Sequence, residues 1–153
     1  MKHKFFLSLA VAALTTTAQA ETRDIITYES AASAVQACAD MAREKGWNLS
    51  IVVVDRGDHV IASARMTDAL SASYTGANLK ASSALAWNMP TRDVETFISD
   101  KPEFRAFPGL LTIAGGVPVK SSSGSPVGAI GVAGSSPDND AACAEKAASS
   151  IQQ

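Results

Sequence analysis

Three glycines, spaced three residues apart in one apolar run near the C-terminus, restrict what this chain can fold into. The run Val127–Val132 contains Gly128 and Gly131, and Gly134 follows it after one intervening residue. Glycine weakens a strand interior, so this spacing indicates that a helix, a partner subunit or a ligand approaches the backbone closely. A second apolar run, Val117–Val119, precedes it across a Ser/Gly/Pro-rich turn, and together the two runs predict a β-hairpin.

The N-terminus has the pattern of an export signal. It contains a basic start, a ten-residue apolar stretch and a small-residue cleavage site, namely Lys2 with Lys4, Phe5–Leu14 and Ala18–Ala20. An apolar stretch of this length is too short to cross a bilayer as a helix. We therefore predict a signal peptide over residues 1–20, a single domain over 21–153, a periplasmic or secreted location, and no membrane span after cleavage.

The charge balance restricts the possible partners. Acidic residues outnumber basic residues by 15 to 13, and cleavage of the signal would also remove Lys2 and Lys4. A net negative chain with dispersed cations argues against nucleic acid or an anionic membrane surface as the partner.

Two cysteines, Cys38 and Cys143, lie in the predicted mature domain. Disulfides persist in exported proteins, so we predict a Cys38–Cys143 bridge. Such a bridge would close a long loop and contribute about 4 kcal/mol in the chain-entropy model. The alternative is two buried thiols on helices that face different ways.

The remaining segments predict an α+β domain. Helical patterns cover Tyr28–Lys45, a stretch within Asp68–Met89, Arg92–Ser99 with Thr91 as its cap, and a last helix capped by Asp138. Strand patterns cover Leu49–Val54, His59–Met66, Gly109–Ile113 and the two runs of the hairpin. Short turns between consecutive strands predict an antiparallel sheet, and helices at both ends and in the middle can cover its two faces in a three-layer arrangement.

Few residues suit catalysis or metal binding. Cleavage of the signal would leave His59 as the only histidine, and no marked nucleophile motif accompanies it. Zinc sites usually need several histidine or cysteine ligands. His59 is therefore either an ordinary surface histidine or a single metal ligand.

A small set of polar and soft side chains surrounds the second predicted strand and the alanine-rich helix. The set consists of Arg65, Met66, Tyr74, Lys80 and Thr91. Arginine and lysine pair with carboxylates, whereas methionine and tyrosine can ligate haem iron or pack on a planar ring. The alternative is that Arg65 and Lys80 are solvated surface charges and Met66 belongs to the core.

Several motifs occur in an order that resembles a known family. They are Val52–Arg65, Lys80-Ala81, Pro90-Thr91, Gly115–Pro118 and Val127–Gly134. Together they are similar to the GlcG/HbpS-like haem-binding ("haem-degrading") family and to the C-terminal domain of some corrinoid adenosyltransferases. The chain departs from the usual pattern at Gly57-Asp58, at Thr67–Ala69 and at Ala133.

The resemblance implies a profilin-like α/β/α fold with a five-stranded antiparallel sheet, and it implies homo-oligomers. It also implies haem binding in exported members, which are linked to haem breakdown and redox sensing. Other members, including those in glycolate-oxidation operons, have no settled activity. The motif positions carried over to this chain are Asp55, Arg65, Met66, Lys80 and Thr91.

The main expectation is an exported, oligomeric protein that binds haem or a related tetrapyrrole, in haem sequestration, degradation or sensing. Arg65 and Lys80 would pair with the propionates, and Met66, Tyr74 or His59 would ligate the iron. One alternative is an enzyme or accessory factor acting on a small carboxylate, with Lys80 or Asp55 as acid or base. Another is a non-catalytic interaction module that serves a sensor or a transporter.

Overall fold

The computed structural model describes residues 24–151, so the predicted signal peptide over residues 1–20 lies outside the described residues. The helices are α1 (Tyr28–Lys45), α2 (Ser71–Trp87), α3 (Thr91–Phe97) and α4 (Pro137–Ile151), with a 3-10 turn at Pro102–Ala106. The strands are β1 (Ser50–Asp55), β2 (Val60–Arg65), β3 (Gly116–Lys120) and β4 (Pro126–Ala133).

The strands form one antiparallel sheet in the order β2-β1-β4-β3. Helices α1 and α4 pack together on one face, and α2 covers β1, β3 and β4 on the other face. The predicted three-layer α+β architecture is confirmed, because residues alternating along β1 point into two separate apolar cores. Between residues 24 and 151 no helix is long and apolar enough to span a membrane.

The expected five-stranded sheet is wrong, since the described residues contain four strands. The segment Gly109–Ile113 is irregular. Its backbone groups bond to side chains instead of to a neighbouring strand: the amide of Leu111 donates to Ser83 Oγ at 2.8 Å, and the carbonyl of Ile113 accepts from Thr91 Oγ1 at 2.9 Å.

Helix α1 is well delimited at both ends. Thr27 and Ser30 form a reciprocal capping box at its start, and Gly46 ends it in the left-handed conformation with φ 69°. The predicted disulfide is present: Cys38 of α1 bonds to Cys143 of α4, with their Cα atoms 5.1 Å apart. The bridge therefore joins the two helices that share one face of the sheet.

Two predicted helix caps are wrong. Thr91 is the first residue of α3, and its hydroxyl bonds to the loop before β3 instead of to its own helix. Asp138 lies inside the first turn of α4 and pairs with Arg92, while the hydroxyl of Ser136 accepts the amide of Asn139 at 3.3 Å.

Helix α2 makes the close approach predicted from the glycine spacing at Gly131, whereas a Cβ at Gly128 would meet the carbonyl of Val54 and one at Gly134 would meet that of Asn48. A Cβ atom at Gly131 of β4 would lie 1.9 Å from the carbonyl oxygen of Ala77, and one at Gly116 of β3 would lie 2.3 Å from that of Lys80. The facing residues of α2 are small and fully buried, including Ala77, Ala81 and Ala84. Glycine on the sheet and alanine on the helix thus allow the two backbones to pack in direct contact.

Candidate functional site

The side chain of Lys80 is buried in a network inside the protein. Only 3% of Lys80 is exposed, and its Nζ donates to Asp140 Oδ2 at 2.8 Å and to the carbonyl of Val132 at 3.0 Å. The other carboxylate oxygen of Asp140 accepts the amide of Ser135 at 3.0 Å. The network ties α2 to the start of α4 across the end of β4, and its two charged side chains are almost completely buried.

Thr91 is equally committed to the fold. It is fully buried, and its hydroxyl accepts the amide of Gly116 at 2.9 Å while donating to the carbonyl of Ile113. Thr91 thereby holds the irregular segment before β3 against α3. We leave Lys80 and Thr91 out of the candidate site.

Arg65, by contrast, lies on an exposed surface. It is opposite Ser50 in the β1–β2 pairing, and its guanidinium donates to the carbonyl of Ala69. Because cross-strand partners share a face, Ser50 and Arg65 both lie on the α2 side of the sheet. Ser50 also shares a hydrogen bond of 2.7 Å with Ser73 of α2. This bond places the first turn of α2 beside the end of β2.

Tyr74 follows Ser73 in this first turn of α2. It is 38% exposed, and Leu70, one turn earlier, is 72% exposed. Val60 and Ser63 continue the same face of β2, because they pair with Val54 and Val52, whose side chains belong to the core beneath α2. We call the exposed residues Ser63, Arg65, Leu70 and Tyr74 the Arg65–Tyr74 surface.

Two further predicted residues lie elsewhere. Met66 is half-buried and packs against the core under α1 and α4, on the opposite face of the sheet. His59 lies in the β1–β2 turn, at the other end of β2 from Arg65, with 82% of its side chain exposed. Arg65, the cross-strand partner of Ser50, and Tyr74, the neighbour of Ser73, therefore flank the Ser50–Ser73 bond. The other predicted residues, Met66, His59, Lys80 and Thr91, lie elsewhere.

The β1–β2 turn is organised by Asp55. Its Oδ1 accepts the backbone amides of Gly57 at 2.8 Å and His59 at 2.9 Å, and it lies 3.5 Å from His59 Nδ1. These bonds, first of all that from the His59 amide, lower the pKa of Asp55 below its ordinary value.

The prediction from sequence missed Asp140, the buried partner of Lys80. A signal was present, because Asp140 continues the stripe of buried residues formed by Ala144, Ala147 and Ile151 on α4. An acid on the apolar side of a helix indicates a buried cation nearby. The neighbouring Asp138 and Asn139 instead favoured an interpretation as a helix-capping cluster.

Comparisons with known proteins agree on one family. The family model described as "Haem degrading protein HbpS-like" matches residues 26–149. Protein GlcG of Escherichia coli strain K12 is 31% identical over 113 residues, which cover 73% of this chain and 84% of that protein.

Solved structures resemble the whole described domain. A double mutant of Streptomyces reticuli HbpS superposes with a TM-score of 0.82 and 32% identity, covering 95% of this chain and 100% of that one. The PduOC:Heme complex superposes with a TM-score of 0.75 at 21% identity, covering 85% of this chain and 100% of that one. At 21% identity, the similarity to the PduOC:Heme complex is evidence for a shared fold alone.

Proposed function

This chain belongs to the HbpS-like family of haem-degrading proteins, and we propose that it is an exported protein that binds haem. The family assignment supports a haem-related function, and the haem complex of PduOC is a precedent for haem on the same fold. The observation that carries the proposal is the Arg65–Tyr74 surface, where an exposed cation and an exposed phenol flank the Ser50–Ser73 bond and Leu70 is exposed one turn before Tyr74.

The chemistry of this surface fits haem. A haem presents a flat apolar ring, two carboxylates and an iron atom. Arg65 would pair with a propionate, since a guanidinium binds carboxylates through charge-assisted hydrogen bonds. Leu70 would pack on the ring, and the phenol of Tyr74 would hold the iron, as tyrosine does in some haem proteins. Arg65 keeps donors for this role, because a single bond to the carbonyl of Ala69 engages its guanidinium in the described residues.

Haemin titration of the mature chain tests the proposal. We expect a saturable Soret shift at about micromolar concentration. Arg65→Gln should weaken binding about tenfold, because a charge-assisted hydrogen bond is lost. Tyr74→Phe should weaken binding and also change the absorption spectrum, because an iron ligand is removed.

Matched control variants are available on the opposite helical layer. Arg43→Gln and Tyr28→Phe alter an exposed arginine and an exposed tyrosine of α1, and both should bind haemin as the unaltered chain does. Absence of any saturable Soret shift in the unaltered chain would refute haem binding. Haemin binding that survives Arg65→Gln and Tyr74→Phe unchanged would instead show that haem occupies another surface.

We further propose that the protein forms homo-oligomers. Among the described residues β2 is an edge strand with unpaired backbone groups on its outer side, and the large apolar side chains of Val60, Leu70 and Tyr74 are exposed on this side of the domain. Light scattering of the mature chain on a sizing column tests this proposal, and a monomer at all concentrations would contradict it.

The geometry does not support the alternative that the protein is an enzyme or accessory factor acting on a small carboxylate. Lys80, one of its two candidate acid–base groups, is buried and paired with Asp140. We therefore propose no second function.

A further inference from the structure

A pocket of about 390 Å³ lies on the solvent side of helix α2, away from the Arg65–Tyr74 surface. Leu79 and Trp87 of α2 form one wall, and Phe107 and Leu110 of the following loop form the other. Ser82 and Asp58 close the end nearest the β1–β2 turn. We call this cavity the α2 outer pocket.

Both walls of the α2 outer pocket are held in place by other contacts. The Trp87 ring packs against the rings of Phe97 and Phe104, with centroids 5.9 and 5.5 Å away. The loop wall is tied back to α2 by the bond from the Leu111 amide to Ser83 Oγ at 2.8 Å. The pocket is therefore formed before any ligand arrives, which lowers the entropic cost of binding.

Asp58 is the charged residue among those that line the pocket within the described chain. One of its oxygens, Oδ1, accepts a hydrogen bond from Ser82 Oγ at 2.8 Å, and this bond fixes the carboxylate at the pocket end. In residues 24–151 no lysine, arginine or histidine pairs with it. Asp58 also has a backbone φ of 63°, a left-handed conformation that glycine adopts at lower cost than any other residue.

The pocket between α3 and α4 provides a contrast. Its arginines are already neutralised, because Arg92 pairs with Asp138 at 2.6 Å and Arg105 pairs with Glu95 at 2.7 Å. Balanced charges of this kind select no particular ion. In the α2 outer pocket no cation of the described residues pairs with the carboxylate of Asp58, so a complementary ligand should carry a positive charge.

We propose that the α2 outer pocket binds a small organic cation that joins an ammonium group to an apolar or aromatic body. The ammonium would pair with Asp58, and the apolar body would lie between the Trp87 and Phe107 walls, where aromatic faces also attract cations. A volume of 390 Å³ is within the range of pockets that enclose small molecules. The negative charge of Asp58 would repel haem propionates, so this site is separate from the proposed haem site.

Tryptophan fluorescence tests the proposal directly, because Trp87 lines the pocket. The chain has two tryptophans, so Trp47→Phe would leave Trp87 as the reporter. Phenethylamine, 2-phenylethanol and 3-phenylpropionate serve as probes with one shared body and a positive, neutral or negative end. We expect phenethylamine to bind at about millimolar or lower concentration, and about tenfold more tightly than the alcohol. The acid should bind most weakly.

Asp58→Asn separates charge from shape, because the amide oxygen can still accept the bond from Ser82 and asparagine tolerates a positive φ. It should reduce phenethylamine affinity about tenfold, to that of the alcohol, and leave haemin binding unchanged. Asp138→Asn, a control at an exposed aspartate on α4, should change neither. Equal affinities for amine and alcohol, an unchanged amine affinity in Asp58→Asn, or no amine binding up to about 10 mM would each overturn the proposal.

Discussion

Replacement of Lys80 by methionine should destabilise the protein far more than loss of any surface charge. The ammonium and the Asp140 carboxylate are 3% and 4% exposed, so both charges have been withdrawn from water. Methionine fills a similar volume but leaves the carboxylate buried without its cation. Breaking a buried pair in this manner costs about 3–5 kcal/mol of unfolding free energy.

Two contacts set that magnitude. Lys80→Met removes the bond to Asp140 at 2.8 Å and leaves the carbonyl of Val132 without its 3.0 Å donor. A single domain of this size has about 5–15 kcal/mol of stability in total. The variant should therefore unfold at a much lower urea concentration, or populate the unfolded state without denaturant.

Urea unfolding followed by circular dichroism, with the disulfide intact, measures the effect. The exposed pair between Arg92 and Asp138 provides the matched control, and Arg92→Met should cost less than about 1 kcal/mol. The double variant Lys80→Met/Asp140→Leu should recover part of the loss, because no charge then stays buried. If Lys80→Met cost no more than Arg92→Met, the inference that this pair is buried and structural would be refuted.

Three other outcomes follow from the structure. Reduction of the Cys38–Cys143 bridge, which spans 105 residues of sequence, should lower the unfolding free energy by about 4–5 kcal/mol in urea titrations with and without reductant. Gly131→Ala should cost more than about 2 kcal/mol, since the new methyl would lie 1.9 Å from the carbonyl oxygen of Ala77; a urea midpoint equal to wild type would contradict this. Asp55, whose pKa is lowered by folding, contributes stability that is present above its unfolded pKa and is lost as the pH falls through its folded pKa. Asp55→Asn should therefore flatten the acid side of the stability–pH curve in urea midpoints, and an unchanged slope would contradict that reasoning.

Regular elements were predictable wherever one physical signal dominated. The helical spacing that ends at Gly46 and the apolar run of β1 each gave the correct element to within a residue or two. The cysteine pair was also predictable, because two cysteines allow one internal bridge and the predicted export favours its formation. Where the backbone bonds to distant side chains, prediction failed: Gly109–Ile113 resembles a strand, yet its hydrogen bonds go to Ser83 and Thr91.

The residue types of the candidate site could be predicted from the sequence, but which of these residues lie near one another could not. Arg65 and Tyr74 were selected for their chemistry, and the structure leaves both exposed, on either side of the Ser50–Ser73 bond. Lys80 was selected for the same reason, but its side chain points into the protein toward Asp140. Sequence spacing alone could not distinguish these cases, because the burial of a lysine depends on a partner sixty residues away in the chain.

The motif residues Lys80, Thr91 and the glycines maintain the fold, so their presence indicates family membership and not which ligand is bound. The motif positions Lys80, Thr91, Gly116 and Gly131 all belong to the contact between α2 and the sheet or to the loop beside it. Gly116 and Gly131 have no room for a Cβ atom. Thr91 accepts the buried amide of Gly116, and Lys80 supplies the cation for the buried Asp140. Such motifs identify chains that fold alike, whatever ligand they bind. The proposed haem site relies instead on exposed groups such as Arg65, and a comparison of relatives for haem binding should be made at those positions.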